Sequence, residues 1–297
     1  MATATTPSLL DTKEMHLVEG MRLVPRRAFS GNIRGERISR KKGISIEFAD
    51  YRDYVVGDDL RHLDWNILAR LDRPTIRTYQ DENDLAVYIA LDTSASMNFG
   101  EPTKFAHAQR LAALFGLLGL IGQDGVYPVE LGGANQAPGR VQRGRGNYRL
   151  LTEWITTRQP DGGRSLSSSL TRFATTRSAK PGMFVCITDG LDPNVAEGLR
   201  AIASRGHELA LIQVLSDIEI DPDLEGDLRL LDAESGVVVE VTAHSQTLRE
   251  YKNNLTNHCR MLEETTLRVG GRYLQSMVSQ PVADFLQRGV RRIGLAR

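Results

Sequence analysis

At 297 residues, with 41% hydrophobic and 25% charged residues, the chain carries enough apolar material for a full core. Its 37 Lys+Arg balance 37 Asp+Glu, so the formal net charge is zero, which argues against a dedicated nucleic-acid-binding or membrane-surface protein. The two cysteines, Cys186 and Cys259, match no metal-ligand spacing and make no disulfide framework, so a reducing, cytoplasmic setting is expected.

The opening MATATTPSLL has neither the basic start nor the apolar stretch of a signal peptide, and residues 1–21 are expected to form a mobile leader. Residues 22–84 read as a separate N-terminal segment. It starts with a basic arm in which Arg22, Arg26, Arg27, Arg34, Arg37, Arg40, Lys41 and Lys42 face a single acid, Glu36. Only Phe29 is interleaved, so stacking on bases has little support and no nucleic-acid partner is expected. In Gly43–Glu82, short alternating runs predict strands at Ser45–Phe48 and Thr75–Tyr79. Gly57-Asp58-Asp59 reads as a turn, and Leu60–Leu71 holds one or two helical turns. His62, beside Asp59 and Asp64, is read as a satisfied surface histidine.

From Leu85 the pattern changes to strands alternating with helices. Leu85–Leu91 is a continuous apolar run, as expected of a strand buried on both faces. Lys104–Ile121 reads as a helix. Its apolar centre, LAALFGLLGLIG, is too short to span a bilayer, so no membrane span is expected. Val126–Leu131 reads as a strand interrupted by Pro128, which predicts an edge or a bent strand. Gly139–Gly146 (GRVQRGRG) matches no phosphate-loop spacing and reads as a flexible loop. Helices follow at Tyr148–Thr157 and Leu166–Thr176, a buried strand at Met183–Thr188, a helix at Val195–Ser204 and a strand at Glu208–Leu215. Leu228–Val241 reads as a hairpin, Ser245–Val269 as a long helix, Tyr273–Val278 as a last strand and Val282–Arg292 as a last helix. This alternation predicts an α/β fold with a mostly parallel, Rossmann-like sheet flanked by helices.

In such sheets, sites form beyond the carboxyl ends of the strands. Two predicted strands end in an acid: LDTSASM places Asp92 ahead of Ser94 and Ser96, and ITDG places Asp189 ahead of a glycine. Hard divalent cations prefer oxygen ligands, and Mg²⁺ uses only one or two carboxylates. An acid followed by two alternate hydroxyls supplies half of such a shell, and the neutral hydroxyls leave the ion able to take an anionic ligand from a partner. D-x-S-x-S alone is weak, since chance gives it in about 7% of chains this long. Its place after a buried strand, with a second strand-tip acid, makes it informative. The alternative has Asp92 and the serines capping the next helix and its loop, without metal. A phosphotransferase of the haloacid dehalogenase kind would need an acid where Ser94 stands. Neither G-x-x-x-x-G-K-[ST] nor G-x-S-x-G occurs, and no histidines stand as H-x-x-x-H.

LDTSASM followed by ITDG resembles the von Willebrand factor A fold with its metal-ion-dependent adhesion site. The upstream block is similar to the bacterial family called domain of unknown function 58, through Gly43, Glu47, Phe48, Arg52, Tyr54, Gly57, Asp58, Asp59, Arg61, Asp64, Trp65, Ala69 and Arg70. The resemblance runs from about Leu23 onward and makes residues 85–297 a von Willebrand factor A-like domain. It implies Asp92, Ser94, Ser96 and Asp189 as metal ligands. The expected ion is Mg²⁺, with Mn²⁺ or Ca²⁺ as alternatives. The third motif departs from the pattern: G-G-R-S-L-S-S-S-L places Arg164 where a threonine is usual, and Ser165 one position late. A guanidinium about 5 Å from a dication costs on the order of several kcal/mol at an effective dielectric of about 20. Either Arg164 points away and Ser165 substitutes as a ligand, or metal is held weakly, or Arg164 itself takes the cation's place.

The resemblance further implies a non-enzymatic interaction protein that works beside a MoxR-type AAA+ ATPase in chaperone-like assembly of a client protein. Two other readings remain beside it. One is a metal-independent scaffold with a degenerate site, in which the Gly43–Glu82 block makes the contacts. The other is a metal-dependent hydrolase, motivated by the paired acids and weakened by the lack of an evident base or nucleophile.

Overall fold

Five strands form one parallel sheet: β3 (Ala86–Asp92), β4 (Gly125–Leu131), β5 (Met183–Thr188), β6 (Glu208–Leu215) and β9 (Arg272–Met277), in the order β4-β3-β5-β6-β9. They belong to a computed structural model that describes residues 8–27, 29, 48–53, 64–79, 85–133, 139–160 and 163–297. β5 and β6 are buried at every position, which explains their unbroken apolar sequences. β4 lies at the sheet's edge, as Pro128 predicts. The loop after it is not free: Gln142 bridges antiparallel to Val126 on that edge.

Helices cover both faces. One face packs Tyr88, Ala90, Phe184, Cys186, Leu209 and Leu211 against side chains of α5 (Leu166–Thr175), α6 (Val195–Ser204) and α8 (Ser245–Arg268). The other face meets α3 (Lys104–Ile121). α3 is apolar nearly all round because it is covered nearly all round. Gly119 lets it approach the sheet, since a Cβ there would stand 2.7 Å from Val126. Gly116 does the same for α4 (Tyr148–Thr156), where a Cβ would meet Leu151 at 2.2 Å. Among the described residues no helix is long and apolar enough to cross a membrane.

The chain start corrects an expectation. Residues from Ser8 to Arg27 are not a mobile leader but part of the same compact unit as 85–297, whereas 28–84 cluster separately. Asp11 and Glu14 form a capping box on α1 (Thr12–Val18), and Leu10, Val18 and Leu23 are fully buried. Arg110 of α3 donates to Glu14 at 2.6 Å and to the Leu9 carbonyl at 3.2 Å. Arg26 and Arg27 give their backbone N–H groups to the buried Glu208, and Leu23 bridges Ala296. The polar look of MATATTPSLL hid the few apolar anchors that α3 needs on its outer side.

The second unit contains an antiparallel pair, β1 (Phe48–Asp53) and β2 (Thr75–Tyr79), and α2 (Trp65–Leu71). Asp64 is buried and accepts from the Ile67 N–H at 3.2 Å, which caps α2. The remainder of the expected strand Ser45–Phe48, the turn at Gly57-Asp58-Asp59, Arg61, His62 and the basic residues from Arg34 to Lys42 lie outside the described residues. Elsewhere the expected elements stand within a residue or two of their predicted bounds. The last helix differs: after α9 (Val282–Asp284) the chain makes a π turn over Phe285–Val290, which buries Phe285, Leu286 and Val290. α7 (Asp217–Ile220) was not expected. It leads into the ribbon of β7 (Gly226–Leu231) and β8 (Val238–Ala243).

Two consequences are measurable. Leu10→Ala should lower unfolding stability by about 2–5 kcal/mol in urea titration; a change within error would return this segment to the status of a loose leader. His207 is buried among Tyr88, Phe173 and Phe184, and burial pushes its pKa down to about 4. The unfolded chain therefore takes up a proton near pH 6.5 that the folded chain refuses until about pH 4, so this histidine costs stability as pH falls through that window. His207→Phe should gain stability relative to wild type on acidification, by up to about 1.4 kcal/mol per pH unit. A constant difference between the two proteins from pH 7 to 4 would refute the burial argument.

Candidate metal centre

β3 and β5 run parallel and in register, Leu91 beside Ile187. Their tips therefore emerge side by side, and Asp92 and Asp189 reach one rim as expected. Both are buried, at 1% and 2% exposure. Asp92 Oδ1 accepts from the Ser94 N–H at 2.9 Å, and Oδ2 accepts from the Thr188 hydroxyl at 2.5 Å. Thr188 in turn accepts from the Gly190 N–H at 2.9 Å, so one hydroxyl links the two strand tips. The Asp92 carboxyl is pushed up to about 7 by burial and by the negative charge of Asp189, against the lowering effect of these hydrogen bonds.

After Asp92 the chain stays extended through Ser94 and then enters a 3₁₀ turn over Ala95–Asn98. Thr93 points its hydroxyl to the Leu131 carbonyl at 2.9 Å, tying the loop to β4. Ser94 stands at the N-cap of the 3₁₀ turn, yet its side chain makes no capping bond. It pairs instead with Ser96, Oγ to Oγ at 3.1 Å. Gly132, at φ +92°, allows the β4 loop to close on this turn, since a Cβ there would lie 3.1 Å from Ser94 N. A Cβ on Gly163 would likewise stand 3.2 Å from the Gly132 carbonyl oxygen, so Gly163 does reach the neighbourhood of the first motif.

Within that stretch Ser165 is exposed and caps α5, accepting from the Ser168 N–H at 3.3 Å; Arg164 is also exposed. The cation beside Asp189 is a different residue. Lys104, the first residue of α3, is 1% exposed and donates to Asp189 Oδ2 at 2.8 Å and to Glu219 Oε1 at 2.6 Å. Burial alone would depress its pKa, but Asp189 and Glu219 hold the ammonium above its usual range. The other Asp189 oxygen accepts from the Leu191 N–H at 3.1 Å. Glu219 closes a capping box on α7 with Ser216. Behind Asp189, Gly190 is left-handed at φ +69°, and His258 Nε2 meets its carbonyl oxygen at 2.7 Å. The negative field extends to the ribbon's turn, where partial burial and the charges of Asp189, Asp192 and Asp232 raise Glu234.

Sequence reasoning missed Thr188, Lys104 and Glu219. Two signals were available: a lysine as the first residue of a largely apolar helix, and S-D-I-E as a capping box that opens α7.

The donor set suits a hard cation on the Asp92 side. Octahedral Mg²⁺ with ligands at about 2.05 Å separates adjacent oxygens by about 2.9 Å, close to the 3.1 Å between the Ser94 and Ser96 hydroxyls. Among the described residues no group of three or more His, Cys, Asp or Glu side chains forms a metal cluster, so a cation here would depend on those hydroxyls.

The family described as "Protein of unknown function DUF58" matches residues 50–260. Uncharacterized protein Rv1480 of Mycobacterium tuberculosis is 32% identical over 246 residues, which cover 79% of this chain and 77% of that protein. Conserved hypothetical protein BatB from Bacteroides thetaiotaomicron superposes with a TM-score of 0.42 at 15% identity, covering 70% of this chain and 98% of that one. An aerotolerance-related membrane protein from Bacteroides fragilis superposes with a TM-score of 0.44 at 19% identity, covering 70% and 99%.

Thr188→Val should remove the hydroxyl that serves both strand tips. The expected loss is about 1–3 kcal/mol of stability in denaturant. Wild-type stability in this variant would mean that the Asp92–Thr188 bond does not hold the rim together.

Proposed function

The chain belongs to the DUF58 family, and on that premise we propose that it is a non-enzymatic interaction module whose rim binds a partner carboxylate through a divalent cation. Asp92, Ser94 and Ser96 would hold the ion, Mg²⁺ before Mn²⁺ or Ca²⁺, with Asp189 as the second acid. A bound dication would supply an electrophilic position for an Asp or Glu of the partner. The observation that carries this reading is the Ser94–Ser96 hydroxyl pair beside a buried carboxylate. A binding role rather than a catalytic one is supported by the state of the acids: each oxygen of Asp92 and Asp189 already accepts a hydrogen bond from a neighbour. That is how ligands are fixed in orientation, not how a base is offered to a substrate. The partner we propose is a MoxR-type AAA+ ATPase in the cytoplasm, working with the chain on a client protein. The free thiols of Cys186 and Cys259 agree with that compartment.

A second reading, a scaffold that works without metal, is favoured by the ammonium of Lys104 on Asp189.

The double variant Ser94→Ala/Ser96→Ala separates the two. Calorimetric titration of the wild type with Mg²⁺ or Mn²⁺ should show binding that the variant weakens at least about tenfold, which is 1.4 kcal/mol. Capture of the purified ATPase should fail both with EDTA and with the variant. Capture that survives both treatments rejects the metal role.

A further inference from the structure

We infer that Lys104 is the resident cation of this rim and that its ammonium sets how weakly a dication is held there. The inference rests on the metal reading above and concerns a residue which that reading leaves out.

Lys104 stands where its own helix disfavours it. It is the first residue of α3, behind the Thr103 cap, at the end where the helix dipole is positive. It is also buried, and a buried ammonium requires compensation. Both costs are met by Asp189, just after β5, and Glu219 of α7, which follows β6. The cation's place is therefore determined by the rim and not by α3. With its two oxygens held by Lys104 and the Leu191 N–H, Asp189 is satisfied without any metal. The Ser94 hydroxyl lies between Ser96 and the Asp92 carboxyl, and Ser96 is half-buried.

The rim thus has two halves. The Asp189 half already holds a positive charge on a covalent tether, while the Asp92 half offers oxygens to a second one. A dication that draws on Asp189 as its second acid must share that carboxylate with a fixed unit charge already 2.8 Å from it, in water-poor surroundings where Coulomb repulsion is strong. The tether cannot diffuse away, so it competes at every metal concentration. Removing it leaves Asp189 free to turn its oxygen to the ion.

The test is calorimetric titration of the full chain with Mn²⁺, comparing the wild type, Lys104→Met and Lys104→Arg. The methionine variant keeps the aliphatic volume and loses the charge. It should bind Mn²⁺ at least about tenfold more tightly than wild type, and the arginine variant should show no gain. Adding Ser94→Ala/Ser96→Ala to Lys104→Met should abolish the gained affinity, which assigns it to this rim. Equal binding by wild type and Lys104→Met, including no binding by either, overturns the inference. Binding by Lys104→Met alone supports it while rejecting metal dependence in the wild type, so the two ideas fail separately.

Should the methionine variant not fold, the wild type still provides a measurement. With ¹⁵N-labelled lysine, a buried ammonium exchanges slowly and gives its own side-chain resonance. One such resonance should be present in metal-free protein, absent from Lys104→Arg, and broadened by Mn²⁺. A metal-free protein with no protected ammonium resonance overturns the inference as well.

Discussion

Two carboxylates end adjacent parallel strands, out of water, and everything at this rim follows from keeping them there. β3 and β5 are hydrogen-bonded in register, so Asp92 and Asp189 cannot separate without breaking the sheet. Burial first, and then the like charge of Asp189, disfavour ionisation of Asp92 and raise its pKa. Proteins resolve such a conflict with protons, hydrogen-bond donors or cations. This chain uses donors on Asp92 and a lysine on Asp189. The arrangement is lopsided: Asp189 and Glu219 share one ammonium, while Asp92 is held by hydrogen-bond donors alone.

The same lysine ties the rim to the rest of the fold. Through Glu219 it reaches α7, whose carbonyl oxygen at Glu219 also accepts from the Tyr251 hydroxyl of α8 at 2.8 Å. α7 leads directly into the β7–β8 ribbon, which exposes Leu230, Leu231, Val238 and Val239. Removing one partner from a buried ion pair is strongly destabilising, by about 3–5 kcal/mol. The segment from Ser216 to the ribbon is therefore held by the same charge that neutralises the site.

Much of this was legible beforehand, for a simple reason. A strand buried on both faces writes itself as an unbroken apolar run, so Met183–Thr188 and Glu208–Leu215 stand where the sequence predicted. The residue that ends such a run is a strand tip, and that is how Asp92 and Asp189 were found. Pro128 marked the edge strand because it lacks a ladder donor. What the sequence hid was pairwise. Lys104 and Asp189 are 85 positions apart, and nothing local says that they touch. Arg164, the cation within the third motif, is exposed, and the countercharge to Asp189 comes from α3. The folded start of the chain was missed for the same reason: Leu10 and Val18 are isolated apolar residues whose burial depends on the outer side of α3.

Ser94 differs from the other N-cap hydroxyls of the fold. Serine and threonine at an N-cap ordinarily accept a bond from their own helix. Thr103 does so for α3, Ser165 for α5 and Ser216 for α7. Ser94 occupies the corresponding position before the 3₁₀ turn and leaves the role unfilled. Capping therefore does not account for the alternate hydroxyls of D-x-S-x-S, although it accounts fully for Ser165. An uncapped turn gives up stability that Ser94 was placed to supply, and its oxygen faces Ser96 instead, beside a buried acid. The Ser94 oxygen is thus committed to the strand tip, between the Ser96 hydroxyl and the Asp92 carboxyl, and not to the turn that it precedes.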